Sequence, residues 1–585
     1  MLLGQLRINP KGKPIPASRQ AVNLKFLNQP IYCERSNRDA NPFLIRVLQK
    51  EKTERAAKST EVRLRNDIPA KNGNILPVNF NCLSISCGIW NYNAVGSDLV
   101  YAPQVHWDIG GTARFGDRAV ILRLNSDQRI EFRYSSINDI TTESGRSPSL
   151  VISMIEPPRF FEEIVNDPVA ELLAKLNLNQ PRLPQVKRNG PSRYRLAYLT
   201  EEHKEIAGNC LVYKLALAND HGQFLRSDDN NSERFHLLRQ AHGIPSMISK
   251  HIEEDVRVTE TYAKSFQRLY RTLASIAYGI PFVLQFQIQK LAQNNYLSPS
   301  KVMQLLPEII SIKRRSSLSV CVSTVRKLSN QIYFPGPNAE GRDFLPENLI
   351  KLLRENESYY KRNGTSLTEI VTEERSENVV IIHRAKVTPT SILLYGPEPE
   401  TTNRVLRKYP DNHDSFLRVT FCDEDGQPVR FSGRVSQDRI FNERFKYVLK
   451  DGIDIGDRSF SFLGFSHSSL RSQTCWFMAP FISNNELLDD RAVIRELGDF
   501  STIFSPAKCA ARIGQVFSDT PTTVKIDPKI VNIISDVERE GRVFSDGVGT
   551  MSQSVMEKIW DKLPNTRGVK PTCFQIRYAG RWLSV

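Results

Sequence analysis

Between Val379 and Phe481 the chain packs in six short runs rich in β-branched and aromatic residues: VVIIHRAKV, SILLYG, FLRVTFCDE, PVRFSGRV, FSFLGFS and CWFMAPF. Pro389 and the pair Asp425-Gly426 punctuate them. Runs of this length bounded by turn formers suit half-buried strands and are too short for stable helices. This density of strand signals constrains the fold more than any other feature. Two helical stretches follow, one over Glu496 and one over 507–515.

The first part of the chain, to about Gln180, carries the same signature. AVILRL (119–124), RIEFRYSSI (129–137) and LVISMI (150–155) are strand candidates, and Asn125-Ser-Asp between the first two reads as a hairpin turn. Pro157-Pro158-Arg159-Phe160-Phe161 closes this group, and the polar, basic stretch 56–72 reads as a loop or a solvated helix. From about Asn189 to Ser376 apolar residues recur at helical spacing instead, as in Phe266, Leu269, Leu273 and Ile276. Pro281 breaks that helix, and Val283, Phe286, Ile288 and Leu291 mark the next. Ser298 followed by Pro299 predicts a capped third helix over 301–310, ended or kinked near Pro307. The charged stretch 355–378 reads as a linker. The expectation is an α+β protein: a β-rich N-terminal domain over 1–180, a mainly helical region over 181–378, and a β-rich unit over 379–585.

Charge narrows the partners. Lys and Arg number 79 against 64 Asp and Glu, for a net +15 over 585 residues and a pI near 9.3. Such an excess favours polyanions, because neutralising phosphates releases counterions. The nine cysteines are scattered, and Cys82 with Cys87 has no second pair to complete a zinc site. They read as reduced thiols. No run is apolar enough for a signal peptide or a membrane span, since Gly279, Pro281 and glutamines interrupt the best one. A soluble nuclear or cytoplasmic protein with no membrane partner is expected, and the sequons at Asn230, Asn356 and Asn363 carry no meaning there. No G-x-S-x-G, H-E-x-x-H or Walker motif occurs.

The chemistry-bearing signal is a series of motifs in one order. It begins with Thr388-Pro389-Thr390, Asn403-Arg404-Val405-Leu406-Arg407 and Phe416-Leu417-Arg418-Val419. Phe462-Leu-Gly-Phe-Ser466, Leu470-Arg471 and Cys475-Trp476-Phe477 continue it. GDFSTIFSPAKCAARIGQVFSDT (498–520), FSDGVGT (544–550) and Cys573-Phe-Gln-Ile-Arg577 complete it. The series resembles the eukaryotic cellular RNA-dependent RNA polymerases, strongly in the last third of the chain and weakly in the middle, where QFQIQKLAQNNYL (285–297) also fits. The resemblance implies a first double-psi β-barrel with surrounding helices over 379–585. In that family a second barrel carries a D-x-D-G-D loop that binds Mg2+. Hard divalent cations held by clustered carboxylates suit in-line attack on an α-phosphate.

By the same resemblance Asp546, Gln575 and Arg577 line the active centre opposite those carboxylates. Arg404, Arg407, Arg418, Arg471, Lys508, Arg512 and Gln515 are candidates to meet the phosphates of RNA or nucleotide. The implied partners are a single-stranded RNA template, nucleoside triphosphates and RNA-silencing proteins. The implied role is double-stranded RNA synthesis for small interfering RNA. Each arginine has a structural alternative, saturating carbonyls or pairing with acids inside a core. Tyr578 could stack on a base or pack as core, and Gly547-Val548-Gly549 could approach a phosphate or simply turn.

One motif imitates the metal site. Asp423-Glu424-Asp425-Gly426 copies the start of D-x-D-G-D, but Gln427 replaces the last aspartate and the flanks FLRVTF and PVRF make it a hairpin turn. It is read as non-catalytic. His467 among Ser466, Ser468 and Ser469 is read as a hydrogen-bonded strand-end histidine. After Arg577 the family pattern gives way to Tyr578-Ala579-Gly580-Arg581-Trp582, without the expected lysine. The metal-binding aspartates are absent from the sequence, so no metal is expected to bind tightly. The chain is expected not to polymerise nucleotides alone and to expose apolar surface. The alternative is a non-catalytic RNA-binding remnant of the family.

Overall fold

The computed structural model describes residues 24–26, 29–31, 78–92, 99–143, 147–164, 193–218, 247–255, 260–275, 279–332, 335–337, 341–364, 379–518, 524–545, 548–562, 572–578 and 581–584. The chain divides into two compact units, 1–76 and 77–585. In the first, strands β1 (Leu24–Phe26) and β2 (Gln29–Ile31) pair antiparallel. The predicted loop or helix over 56–72 lies outside the described residues.

The second unit begins with a sheet of 13 strands whose spine is β3 (Val78–Tyr92). Strands β4 (Leu99–Trp107) and β5 (Gly111–Phe115) share one edge of this spine, taking its second and first halves. The register on β4 slips at Gly88, where a Cβ would sit 2.2 Å from the Ala102 carbonyl, so only glycine lets the two backbones approach. From β5 the sheet runs through β6 (Ala119–Leu124), β7 (Gln128–Arg133), β10 (Arg159–Glu163) and β11 (Arg193–Leu196). On the other edge of β3 lie β12 (Val212–Leu217), β9 (Ser149–Met154), β8 (Ile137–Glu143) and β13 (Met247–Ser249), and β14 (Glu253–Glu254) pairs with β4. Apolar residues alternating along these strands bury Phe115, Phe132, Phe160 and Tyr213 in one core.

The three predicted strands and the hairpin turn at 125–127 are present. The Pro157-Pro158 run does not close the group, because the two residues before Arg159 lead directly into β10. Residues 193–217 and 247–254 add further strands where helix was predicted. Their alternation is short and interrupted, and only the neighbouring strands supply the buried face that makes it a strand signal.

Continuous helices start later: α1 is a single turn (Glu201–Lys204), then α2 (Tyr262–Ala274), α3 (Phe282–Gln293), α4 (Pro299–Arg315), α5 (Leu318–Leu328) and α6 (Pro346–Asn363). Ser298 stands at the N-cap position of α4 with Pro299 at the first helical position, as predicted, but its hydroxyl faces that of Ser300 at 3.1 Å and caps no backbone N–H. The expected break at Pro307 does not occur, and α4 runs on to Arg315. Burial of Leu305, Leu306, Ile309 and Ile312 in the helical core holds the turn around Pro307 despite its missing N–H. The predicted linker begins late, since α6 occupies residues up to Asn363 and 365–378 lie outside the described residues.

Helix α3 explains how the middle of the chain meets its last part. Gln285, Gln287 and Gln289 are nearly fully buried, an unusual state for amides. Each satisfies strand or loop backbone across the interface. Gln285 accepts from Asp457 N (2.7 Å), Gln289 accepts from Gly456 N (2.8 Å), and Gln287 donates to the Gly396 carbonyl (3.1 Å). Asn294, just past the helix, accepts from Leu394 N and donates to the Leu394 carbonyl, both at 2.8 Å. The polar letters of QFQIQKLAQNN therefore stand in for a neighbouring strand.

That last part is a second, six-stranded sheet in the order β16 (Ile392–Thr401), β15 (Val379–Val387), β17 (Phe416–Phe421), β21 (Thr474–Met478), β20 (Arg458–Gly464), β19 (Ile453–Ile455). Only β15 and β17 run parallel; the other neighbours are antiparallel. The predicted strand PVRFSGRV is not formed. Its single remnant, β18 (Val435–Ser436), leaves this sheet and pairs in parallel with β11 of the first. Val429 is buried in the core of the second sheet, but Phe431, which would share its face in a strand, is 95% exposed, so the alternation has no continuous surface to pack on. The α+β class is as expected. Strands β22 (Gln575–Tyr578) and β23 (Arg581–Ser584) form their own antiparallel ladder, separate from the six-stranded sheet among the described residues.

Candidate nucleic-acid interface

The motif residues converge through an apolar cluster under one face of the second sheet. Asn403 caps helix α7 (Arg404–Lys408), its side chain accepting from Val405 N (2.9 Å) and Leu406 N (3.1 Å). Val405 and Leu406 then bury against Trp476, Met478, Leu463, Val516 and Phe517. Val516 and Phe517 close the segment that begins with α8 (Pro506–Gly514). A Cβ on Gly464 would lie 2.4 Å from the Phe517 ring, and one on Gly514 would lie 2.4 Å from the Phe465 carbonyl. The FLGFS and GQVFS motifs are thus two halves of one packing contact. It places α7 beside the turn that follows α8.

Arg404, Lys508 and Arg512 are exposed, and Gln515 is half-buried at the end of α8. These four occupy the two segments joined by that cluster. Arg471, also exposed, stands apart at the end of a short helix (His467–Arg471). Arg407 is half-buried and turned inward, donating to the Thr402 hydroxyl at 3.1 Å. Arg418 stacks over Trp476, 4.8 Å from its centroid, and donates to the Thr474 hydroxyl at 3.0 Å. Asp546 lies outside the described residues. For Gln575 and Arg577 the structure gives the strand β22 that carries them, with Arg577 opposite Trp582. Tyr578 lies on the same strand.

The serines around His467 form a capping box. Ser466 Oγ accepts from Ser469 N, and Ser469 Oγ accepts from Ser466 N at 2.7 Å. His467 is exposed at the first helical position and takes no part in it. Cys82 and Cys87 are buried in β3, and burial pushes both thiols up to about 12.

The acidic turn is the largest surprise. Gly426 N donates to the Asp423 carbonyl and Asp423 N to the Gln427 carbonyl, so the turn forms as predicted, although without a second strand. Its carboxylates face arginines of the first sheet. Asp425 pairs with Arg133 (2.9 Å), Arg159 contacts both Asp423 and Asp425, and buried Arg195 lies 3.6 Å from Asp423 and 3.7 Å from Glu424. Burial pushes the Glu424 carboxyl up to about 7, against the pull of Arg195. Sequence reasoning found the turn and missed its partners. The arginines of β7, β10 and β11 lie hundreds of residues away, and only the alternating RYR of β11 hinted at charges set on one face.

His383 was also missed. It is fully buried on β15 between Phe282 and Phe286, with ring centroids 5.4 and 4.4 Å away. Burial, helped by the positive charges of Arg458 and Arg326, pushes it down to about 3.

Two stretches of the sequence match known families. Residues 387–581 match the model described as RNA dependent RNA polymerase, and residues 78–257 match the fungal RdRP associated PH-like domain. Over these two stretches the chain carries the signature of the eukaryotic RNA-dependent RNA polymerase family. It is 32% identical to RNA-dependent RNA polymerase 1 of Arabidopsis thaliana over 52% of this chain and 27% of that protein. It is 36% identical to RNA-dependent RNA polymerase 6 of the same plant, over 36% of this chain and 18% of the relative. RNA-dependent RNA polymerase 1 of Schizosaccharomyces pombe is 34% identical over 35% of this chain and 16% of its own length. The aligned stretch is thus a minor part of each relative. The two family matches divide the present fold naturally. All of the 13-stranded sheet except β18 falls in the PH-like domain, and most of the six-stranded sheet, with the motif cluster, falls in the polymerase domain.

Among the described residues no group of three or more His, Cys, Asp or Glu could hold a metal ion. The one acidic turn that imitates the family's metal loop is occupied by arginines. No helix among the described residues is long and apolar enough to cross a membrane.

Proposed function

We propose that this chain supplies the first-barrel side of an RNA-directed RNA polymerase, which copies single-stranded RNA into duplex for small interfering RNA and gene silencing. The supporting observation is the ordered motif series within the matched polymerase domain, of which the motifs around Val405, Phe416, Leu463, Trp476 and Phe517 pack into one cluster. In this reading residues 379–585 form the first double-psi barrel with its surrounding helices, and 1–180 and 181–378 are the regions leading to it. Asp546, Gln575 and Arg577 line the active centre. Phosphates of template, product or nucleoside triphosphate meet the exposed cations Arg404, Arg471, Lys508 and Arg512, with Gln515 beside them. Arg407 and Arg418 act from behind: one braces the start of α7 and the other fixes Trp476.

Nucleotidyl transfer in this family uses Mg2+ to neutralise charge on the reacting phosphates. The carboxylates that hold it come from polypeptide outside these 585 residues, since the sequence has no D-x-D-G-D. What the present residues do is grip and orient polyanion. The protein works in the nucleus, the cytoplasm or both, alongside silencing proteins. The test is twofold. Purified chain should bind a single-stranded RNA oligonucleotide with an affinity that falls steeply with salt, and it should not extend a primer with magnesium and nucleotides. Salt-independent binding or none removes the RNA grip, and templated extension overturns the division of labour.

A further inference from the structure

The acidic turn that sequence reasoning set aside has a partner of its own. Five arginines lie on three adjacent strands of the PH-like sheet: Arg129 and Arg133 on β7, Arg159 on β10, and Arg193 and Arg195 on β11. Two are served within that sheet, because Arg129 pairs with Glu131 and Glu163, and Arg193 lies 3.8 Å from Glu131. The ion pairs of the other three all cross to the polymerase domain, to Asp423, Glu424 and Asp425. Three cations therefore face three carboxylates, and the match is graded by depth. Arg195 and Glu424 have side chains only 3% exposed, whereas Arg133 and Asp425 are each 34% exposed. Around the junction β18 pairs with β11, and Arg439 pairs with Glu162 while stacking 5.1 Å from the Tyr194 ring.

We propose that the turn 423–425 is an ionic key which docks the polymerase domain onto the PH-like sheet and fixes the register between them. Buried ion pairs contribute little net stability, yet an unmatched member is costly. Such a junction selects one arrangement and penalises every other. The turn keeps the acidic letters of a metal loop while its carboxylates serve as ligands for arginine. This inference does not depend on the polymerase reading and would stand if that reading failed.

The test is hydrogen exchange of the full chain, read at 158–163, 193–197 and 422–436, with 119–132 and 474–478 as controls for folding. The double reversal Asp423→Arg with Asp425→Arg is expected to speed exchange of the junction segments at least tenfold and leave the controls unchanged. Adding Arg133→Asp and Arg159→Asp is expected to restore protection to within threefold. Unchanged junction exchange in the reversal, or no restoration by the swap, overturns the proposal. If the reversal also loosens the controls, the neutral pair Asp423→Asn with Asp425→Asn decides. Faster exchange confined to the junction supports the key, and unchanged exchange there refutes it.

Discussion

His383 and Glu424 are both buried, but their protons pull stability in opposite directions. His383 titrates near 6.5 when unfolded and is pushed down to about 3 in the fold, so the unfolded chain binds the extra proton as pH falls. Its contribution is present above about 6.5 and is lost on acidification, by at most about 1.4 kcal/mol per pH unit. Glu424 is raised to about 7, so here the folded chain holds the extra proton, and stability falls as pH rises from about 4.5 toward 7. Denaturant melts between pH 5 and 7.5 separate the two. His383→Leu should flatten the acid-side loss, and Glu424→Gln should remove the decline on the way up. A pH profile unchanged in both variants would show that neither group carries the linkage.

Two elements owe their position to side chains whose chemistry looks wrong for a core. Helix α3 places three amides where leucines would be expected, and the second sheet depends on them for hydrogen bonds. Gln289→Leu should cost about 1–3 kcal/mol, because the buried Gly456 N–H is left without its acceptor. A loss below half of that in a urea melt would mean the loop simply rearranges. The joint between β20 and the turn after α8 is steric instead. Gly464→Ala drives a methyl group to 2.4 Å from the Phe517 ring and should destabilise by about 1–3 kcal/mol. Since that joint seats α7 beside the turn after α8, the same variant should also weaken the proposed RNA binding, which a fluorescence titration would detect.

At the level of the molecule, the proposed grip on RNA would draw on the net charge of +15 only through cations that stand outside the internal pairs. Arg404, Lys508 and Arg512 are exposed on the two joined segments. Replacing all three by alanine should lower affinity for single-stranded RNA by tenfold or more. It should also reduce the log–log salt slope by about 2, at roughly 0.7 for each phosphate no longer neutralised. Arg418→Ala should instead lower stability, with little change of slope, because its charge is engaged with Trp476 and Thr474. An equal slope change in both variants would defeat the separation of gripping from bracing residues.

Local signals were enough for β6, β7 and β9, for five of the six runs between Val379 and Phe481, for the start of α4 at Ser298-Pro299, for the helices over Glu496 and 507–515, and for the turn at Asp425-Gly426. Each is specified by periodicity, a cap or a turn pair within a few residues, and the ordered motifs placed the family. What needed the tertiary structure was whatever depends on a distant partner. Pro307 stays helical because four neighbours are buried, PVRFSGRV fails as a strand because only Val429 of its alternating face is covered while Phe431 is left exposed, and 212–217 becomes sheet because β3 and β9 stand beside it. The acidic turn shows the division most clearly. Its shape is local, while its role was decided by arginines more than two hundred residues away, brought opposite it only when two sheets fold onto one another.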